Sequence, residues 1–105
     1  MRIFISAPYT IGDALNNVVK VIDVAEKLVQ KGHTPFVPHL YHFWDTLYPH
    51  PREFWLKLDL EWMKSCDALF RMEGASTGAD LEVIQAGRLG LTIYHTLESI
   101  PSCLK

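Results

Sequence analysis

Two acidic side chains stand in contexts that favour chemistry, and the first of them is Glu82. It follows a run of small residues at 74–79 (GASTGA) that leads into a predicted helix. Small residues allow a ligand to approach the backbone closely, and the free N–H groups at a helix start favour an anion. The pattern therefore favours a carboxylate held at the edge of a ligand crevice. The alternative is an ordinary acid in the first turns of a helix, which stabilises the helix and does nothing more.

The second acidic residue, Asp59, interrupts an aromatic stripe on another predicted helix. On a helical wheel it lies within about 80° of Trp55, on the side that also carries Trp62 and Met63. Burying an unpaired carboxylate costs free energy, so Asp59 must have a partner or a raised pKa. An acid of this kind suits general acid–base catalysis. The alternative is structural, namely a cap or an ion pair with an arginine such as Arg71.

Aromatic residues after the first two predicted strands could contact a carboxylate and a planar ligand. Tyr9 could donate its hydroxyl to a carboxylate, or it could simply pack in its loop. The segment 39–44 (HLYHFW) combines flat rings with imidazole donors, which suits stacking on a nucleobase. We therefore predict ligand contacts from His39, His42 and Phe43. A small apolar cluster under the loop is the alternative for Phe43 and Trp44.

The histidine spacing is weak evidence for a metal site. His39 and His42 are three residues apart, but Cys66 and Cys103 do not supply the further ligands that zinc sites usually have. The sequence also lacks the G-x-G-x-x-G motif, the phosphate-binding loop and the G-x-S-x-G elbow. We predict neither a metal nor a cofactor. Dinucleotide reduction, P-loop phosphoryl transfer and α/β-hydrolase chemistry are disfavoured.

Short apolar runs alternate with amphipathic helical periods, and these elements must position the candidate residues. The patterns predict strands at 2–7, 34–37, 68–72 and 91–95, and helices at 15–31, 52–66 and 79–89. Residues 39–51 are predicted to be irregular, and the last ten to form a tail or an oligomer contact. Strands that alternate with helices predict an α/β fold, with a parallel sheet and helices on both faces.

The predicted topology gathers the candidate residues at one edge of the sheet. Ligands of such sheets bind beyond the carboxyl ends of the strands. That rule brings Ser6 and the segments 38–43 and 72–78 around one crevice.

Length and composition set the remaining limits. A chain of 105 residues forms one domain, and its net charge of −2 argues against a nucleic acid polymer as partner. No apolar run approaches the length of a membrane span, and the first residues do not read as a signal peptide. With two cysteines and no disulfide framework, we expect a cytoplasmic protein that does not bind membranes.

Three short motifs occur in an informative order: SAPY at 6–9, Asp59 ahead of SCDA at 65–68, and GADLE at 78–82. Together they resemble the nucleoside 2-deoxyribosyltransferase superfamily, above all its small members, over residues 1–95. The resemblance implies a three-layer, flavodoxin-like parallel sheet of four to five strands with helices on both faces. It also implies a homodimer or a higher homo-oligomer, in which a neighbouring subunit completes the site. Candidate donors of that contribution are Tyr94, His95 and the tail.

The same resemblance implies roles for three residues. Glu82 matches the catalytic glutamate, Tyr9 matches the tyrosine that orients it, and Asp59 matches the aspartate near the leaving base. Ser76 stands where the transferases usually carry an aspartate. In this respect the chain looks similar to the nucleoside 5′-monophosphate N-glycosidases, in which a serine meets the phosphate.

A neutral anion cradle could form from Ser76, Thr77 and Gly78 at the helix start. The glycosidase branch also has an arginine in its first loop, and residues 6–13 contain none. Arg71, at the end of the third predicted strand, is a possible substitute.

The sequence thus predicts cleavage of an N-glycosidic bond through a covalent intermediate on Glu82. Hydrolysis and transfer to another base share the first half of this reaction, so both stay open. Two other classes of function remain as alternatives. One is a nucleotide-binding module without turnover, and the other is a structural or oligomerisation domain in which Asp59 pairs with Arg71.

Overall fold

A computed structural model describes residues 1–8 and 14–103 and contains one four-stranded parallel sheet. The strands are β1 (Arg2–Ser6), β2 (Thr34–Phe36), β3 (Ala68–Arg71) and β4 (Thr92–Tyr94), and the helices are α1 (Ala14–Gln30), α2 (Tyr41–Leu47), α3 (Arg52–Met63) and α4 (Thr77–Arg88). Single 3₁₀ turns follow β2 at Pro38–Leu40 and β4 at Leu97–Ser99. The strand order β2-β1-β3-β4 is the beginning of the flavodoxin-like order. The predicted fold class is therefore confirmed.

The central strand β1 is apolar because both of its faces are covered. Ile3 and Ile5 point into a cluster with Val21 and Leu28 of α1. Phe4, between them, points into a cluster on the opposite face that includes residues of α3 and α4. Successive side chains of a strand point to opposite faces, so the continuous apolar run has the pattern of a strand buried between two helical layers.

Residues 39–51, predicted to be irregular, contain the end of the first 3₁₀ turn and the whole of helix α2. Pro38 starts the turn at a position where its missing N–H costs nothing. Tyr41 and Trp44 are three residues apart on α2, and both rings pack against Trp55 of α3, with centroids 5.1 and 5.4 Å away. Tertiary packing of aromatic rings rather than hydrophobic periodicity stabilises this seven-residue helix, which explains why the sequence pattern did not indicate it.

The C-terminal segment, which has little sequence pattern, packs against its own chain. Ile100 is 1% exposed in the cluster beside α1. The Lys31 ammonium donates to the carbonyl of Ile100 over 2.8 Å, and the Cys103 N–H donates back to the Lys31 carbonyl over 2.7 Å. The described part of the tail is therefore packed as part of the domain. Within the described ranges, no helix is long and apolar enough to cross a membrane.

Candidate active site

A cavity of about 440 Å³ opens at the carboxyl edge of the sheet, between the start of α4 and the helices α2 and α3. Its position agrees with the crevice that the topology predicts. The residues that line it are Ala7, Pro38, His39, Tyr41, Asp45, His50, Arg52, Trp55, Leu56, Asp59, Ser76, Thr77, Gly78, Ala79 and Glu82.

The carboxyl groups of Asp59 and Glu82 meet in the wall of this cavity. Burial, the charge of Glu82 and a hydrogen bond to Glu82 raise the pKa of Asp59 to about 8. Burial raises the pKa of Glu82 to about 7, against the opposing effects of hydrogen bonds from Ser6 and Asp59 and of the nearby Arg71 charge. The directions are consistent with a proton that resides on Asp59 and is donated to Glu82. Two carboxyl groups this close cannot both ionise cheaply at neutral pH.

Ser6 holds the other side of the Glu82 carboxylate. The serine is fully buried at the end of β1, and its Oγ donates to Glu82 Oε1 over 2.7 Å. The same Oγ lies 3.3 Å from the Ala79 carbonyl, but a hydroxyl has one proton to donate, and the shorter contact directs it to Glu82. The sequence predicted Ser6 as a ligand contact, whereas the structure places it behind the carboxylate. Tyr9, predicted to orient Glu82, lies outside the described residues.

Arg71 does not pair with Asp59 and does not line the cavity. Its guanidinium donates to the carbonyls of Met72 and Gly74 and forms an ion pair with Asp80 at 3.1 Å. The structural alternative for Asp59, an ion pair with Arg71, is therefore wrong. The predicted contact of Arg71 with an anionic substrate also finds no support, because these partners already occupy the guanidinium.

Arg52, which sequence reasoning missed, is the arginine that lines the cavity. Its Nη2 lies 3.5 Å from the point where a side chain on Gly78 would begin. Two helix starts, those of α3 and α4, thus bring a guanidinium beside the first residues of α4. No local pattern could have indicated this neighbour, since residues 52 and 78 are far apart in the chain.

The start of α4 is built from the small residues that the sequence singled out. Ser76 is the N-cap, and its Oγ accepts the Ala79 N–H over 3.1 Å. Thr77 and Gly78, predicted as loop residues, form the first turn of the helix and line the cavity. Gly74 has φ of +118°, and a side chain there would come within 2.6 Å of Pro8 Cγ. Glycine at 74 therefore lets the loop pass close to the end of β1.

The predicted aromatic contacts are only partly in the cavity. His39 is buried in its wall and its Nε2 donates to the Pro8 carbonyl over 3.1 Å, while burial lowers its pKa. Phe43 is 55% exposed and is not among the residues that line the cavity. The side chain of His42 lies outside the part of the chain that is described. Besides His39, the residues whose rings line the cavity are Tyr41, His50 and Trp55.

The Tyr41 hydroxyl oxygen and Asp59 Oδ1, both in the cavity wall, are buried without a hydrogen-bond partner among the described residues. Burial and the charge of Asp59 raise the pKa of Tyr41 to about 12, so its hydroxyl is a permanent donor at neutral pH. Unsatisfied buried polar groups are costly and are concentrated at functional sites. In residues 1–8 and 14–103, no group of His, Cys, Asp and Glu is arranged to hold a metal ion.

Comparison with known proteins places this geometry in a family. A family described as a domain of unknown function (DUF7768) matches residues 1–96. No curated protein matches the sequence. Among solved structures, a 2-deoxyribosyltransferase from Bacillus psychrosaccharolyticus is similar with 27% identity and a TM-score of 0.63, over 89% of this chain and 69% of that one.

A second similar structure extends the comparison at the level of the fold. A 2-deoxyribosyltransferase from Leishmania mexicana shares 17% identity and a TM-score of 0.67 over 88% of this chain. This chain spans 61% of the length of that protein. The resemblance inferred from the three motifs is thereby confirmed. The chain belongs to the DUF7768 family of domains of unknown function, and its architecture is that of the nucleoside 2-deoxyribosyltransferase-like superfamily.

Proposed function

We propose that this protein cleaves the N-glycosidic bond of a (deoxy)nucleoside or its 5′-monophosphate through a covalent glycosyl intermediate on Glu82. The observation that carries the proposal is the Asp59–Glu82 carboxyl pair in the wall of a cavity of about 440 Å³, where burial raises the pKa of both groups. One carboxyl of such a pair serves as the acid and the other as the nucleophile. The similarity to 2-deoxyribosyltransferases supports the same class of reaction.

In the first half-reaction, ionised Glu82 attacks the anomeric carbon of the sugar. The C1′–N bond breaks, its electron pair goes to the departing base, and Asp59 gives the base its proton. In the second half, water or the nitrogen of another base attacks C1′, the ester to Glu82 breaks, and Asp59 recovers a proton from the incoming nucleophile. Carboxyl groups in mutual contact leave no room for the water that an inverting mechanism places between them, which favours the covalent route.

The other cavity residues have roles that follow from their positions. The Ser6 hydroxyl fixes Glu82 and favours its ionised form, and Tyr9 is proposed to assist from the adjoining loop. Ser76, Thr77 and Gly78 contact the 5′ end of the substrate, with the Arg52 guanidinium beside them. His39 borders the space for the base. No metal or cofactor is needed for any step.

The test is base release by the purified protein. Nucleosides and 5′-monophosphates, both ribo and deoxy, are incubated with and without a second free base, and chromatography follows the released or exchanged base. We expect Glu82→Gln to lower the rate at least about 10³-fold, as loss of a nucleophile does. The matched control is Glu61→Gln, an exposed glutamate of α3. Full activity of Glu82→Gln would refute the mechanism, and tight nucleotide binding without base release would favour the nucleotide-binding module.

We also propose that the protein forms a homodimer or larger homo-oligomer. The outer side of α1 exposes Leu15, Val19, Ile22 and Val29, which are spaced as in a helix–helix contact. Light scattering at micromolar concentration tests this, and a monomer would contradict it. The two free cysteines, Cys66 and Cys103, are in keeping with the cytoplasm as the proposed compartment.

A further inference from the structure

The side chain of Trp55 is fixed in the cavity wall by Asp45. Trp55 Nε1 donates to Asp45 Oδ1 over 2.8 Å, and the same oxygen accepts the backbone N–H of His50 over 2.9 Å. One carboxylate oxygen thus anchors the indole and closes the connection between α2 and α3. Asp45, His50 and Trp55 all line the cavity.

Aromatic neighbours restrict the same indole from several directions. Tyr41 stacks on it, with centroids 5.1 Å apart and an angle of 27° between the rings. Trp44, His50 and Phe54 meet it nearly edge-on, at 77–83°. A side chain held in this way has little rotamer freedom left to lose when a ligand binds.

We propose that Asp45 is a positioning residue, which locks Trp55 as the platform on which the planar ring of the substrate stacks. That this ring is a nucleobase rests on the proposed function, whereas stacking itself requires no turnover. Every nucleobase has a π face, and aromatic side chains bind such faces with little dependence on sequence or substituents. The sequence predicted that Phe43 contacts the planar ring of the ligand. In this proposal Trp55, which lines the cavity, makes that contact instead.

The hydrogen bond between Asp45 and the Trp55 indole allows a test of whether Asp45 positions Trp55 or binds the ligand directly. An indole N–H needs only an oxygen acceptor, so an amide at position 45 can replace the carboxylate. A carboxylate that bound a ring N–H directly would instead depend on its charge. Asp45→Asn and Asp45→Ala therefore distinguish the two roles.

The experiment uses the full chain with Trp44→Phe and Trp62→Phe, so that Trp55 is its single tryptophan. Quenching of its fluorescence is titrated with free adenine and then with free thymine. We expect Asp45→Ala to weaken binding about 10-fold, which is the scale of one lost stacking contact, and Asp45→Asn to change it less than about threefold. Asp23→Ala, an exposed aspartate of α1, is the matched control. Equal loss in Asp45→Ala and Asp45→Asn, or no loss in either, overturns the proposal.

A second variant guards against a misfolded Asp45→Ala protein. Trp55→Phe keeps a ring but has no N–H for Asp45, so by calorimetry we expect it to weaken binding to a similar degree. Adding Asp45→Ala to Trp55→Phe should weaken binding no further, and additive losses would contradict the coupling. In turnover, Asp45→Ala should raise KM and leave the pH dependence of kcat unchanged. Quenching without base release would refute the proposed function alone, and base release without quenching would refute this inference alone.

Discussion

Replacing Asp59 by asparagine should stabilise the protein at alkaline pH, because it removes a carboxyl group that the fold protonates. The pKa of Asp59 rises from 3.8 to about 8 on folding. The fold therefore binds this proton more tightly than the unfolded chain does. The stabilising contribution is present in full below about pH 4 and is lost as the pH rises through about 8.

The magnitude follows from the same two values. Linkage of one proton changes the free energy of unfolding by about 1.4 kcal/mol per pH unit, so full linkage between pH 5 and pH 8 amounts to about 4 kcal/mol. Because the cavity is open to water, which screens the buried charge, we expect about half of this, or about 2 kcal/mol. Asparagine has nearly the same shape as aspartic acid and its amide can still donate a hydrogen bond to Glu82. The free energy of unfolding of the variant should therefore not fall by this amount between pH 5 and pH 8.

The assay is urea denaturation of the wild type and of Asp59→Asn at pH 5, 6, 7 and 8. Contributions from groups that Asp59 does not influence, such as His39, are common to both proteins and cancel in their difference. Glu82 titrates together with Asp59, so the difference reports the carboxyl pair as a unit. The difference should be small at pH 5 and grow in favour of the variant towards pH 8. Glu61→Gln, which changes an exposed glutamate, should follow the wild type. If the free energies of unfolding of the wild type and of Asp59→Asn changed in parallel with pH, the idea of a proton held by the carboxyl pair would be refuted.

Three further predictions concern the site and the core. Ser6→Ala removes the hydrogen bond that lowers the pKa of Glu82, so the acidic limb of the kcat/KM profile should move up by about one pH unit with little change in KM; an unmoved limb contradicts this. Arg52→Gln should raise KM about 10-fold for 5′-monophosphates and leave nucleosides unchanged, and an equal effect on both would exclude a phosphate contact. Phe4→Ala, at a fully buried position between two helical layers, should lower the free energy of unfolding by about 3–5 kcal/mol, measured by urea denaturation.

The sequence predicted the elements whose patterns are strong. The apolar run at the N-terminus forms β1, which ends one residue earlier than predicted. The amphipathic period that follows it forms α1, which begins and ends one residue earlier than predicted. The position of Asp59 on the helical wheel, among aromatic residues, predicted that this carboxyl group has a partner or a raised pKa. In the structure Asp59 has Glu82 as its partner, and burial raises its pKa. The local pattern of apolar residues is sufficient to predict an element whose structure is decided by which of its faces is buried.

The parts that the sequence did not predict depend on contacts between distant segments. Helix α2 is only seven residues long and is stabilised by rings of α3, so its own sequence has no clear period. Arg52 and Gly78 become neighbours only when the starts of α3 and α4 meet. The bond between Ser6 and Glu82 likewise joins residues 76 positions apart. These contacts join elements that are distant in the chain around the two acids, and they follow from the tertiary arrangement alone.

Transfer of the sugar to Glu82 is tested by trapping the ester that the proposed reaction forms. The protein is incubated with 2′-fluoro-substituted nucleosides, in which the fluorine slows cleavage of the ester between the sugar and Glu82. The intact mass and the peptide map are then recorded. We expect one glycosyl adduct on the peptide that contains Glu82 and none in Glu82→Gln. Base release without an adduct, and with inversion at the anomeric carbon, would contradict a covalent intermediate on Glu82.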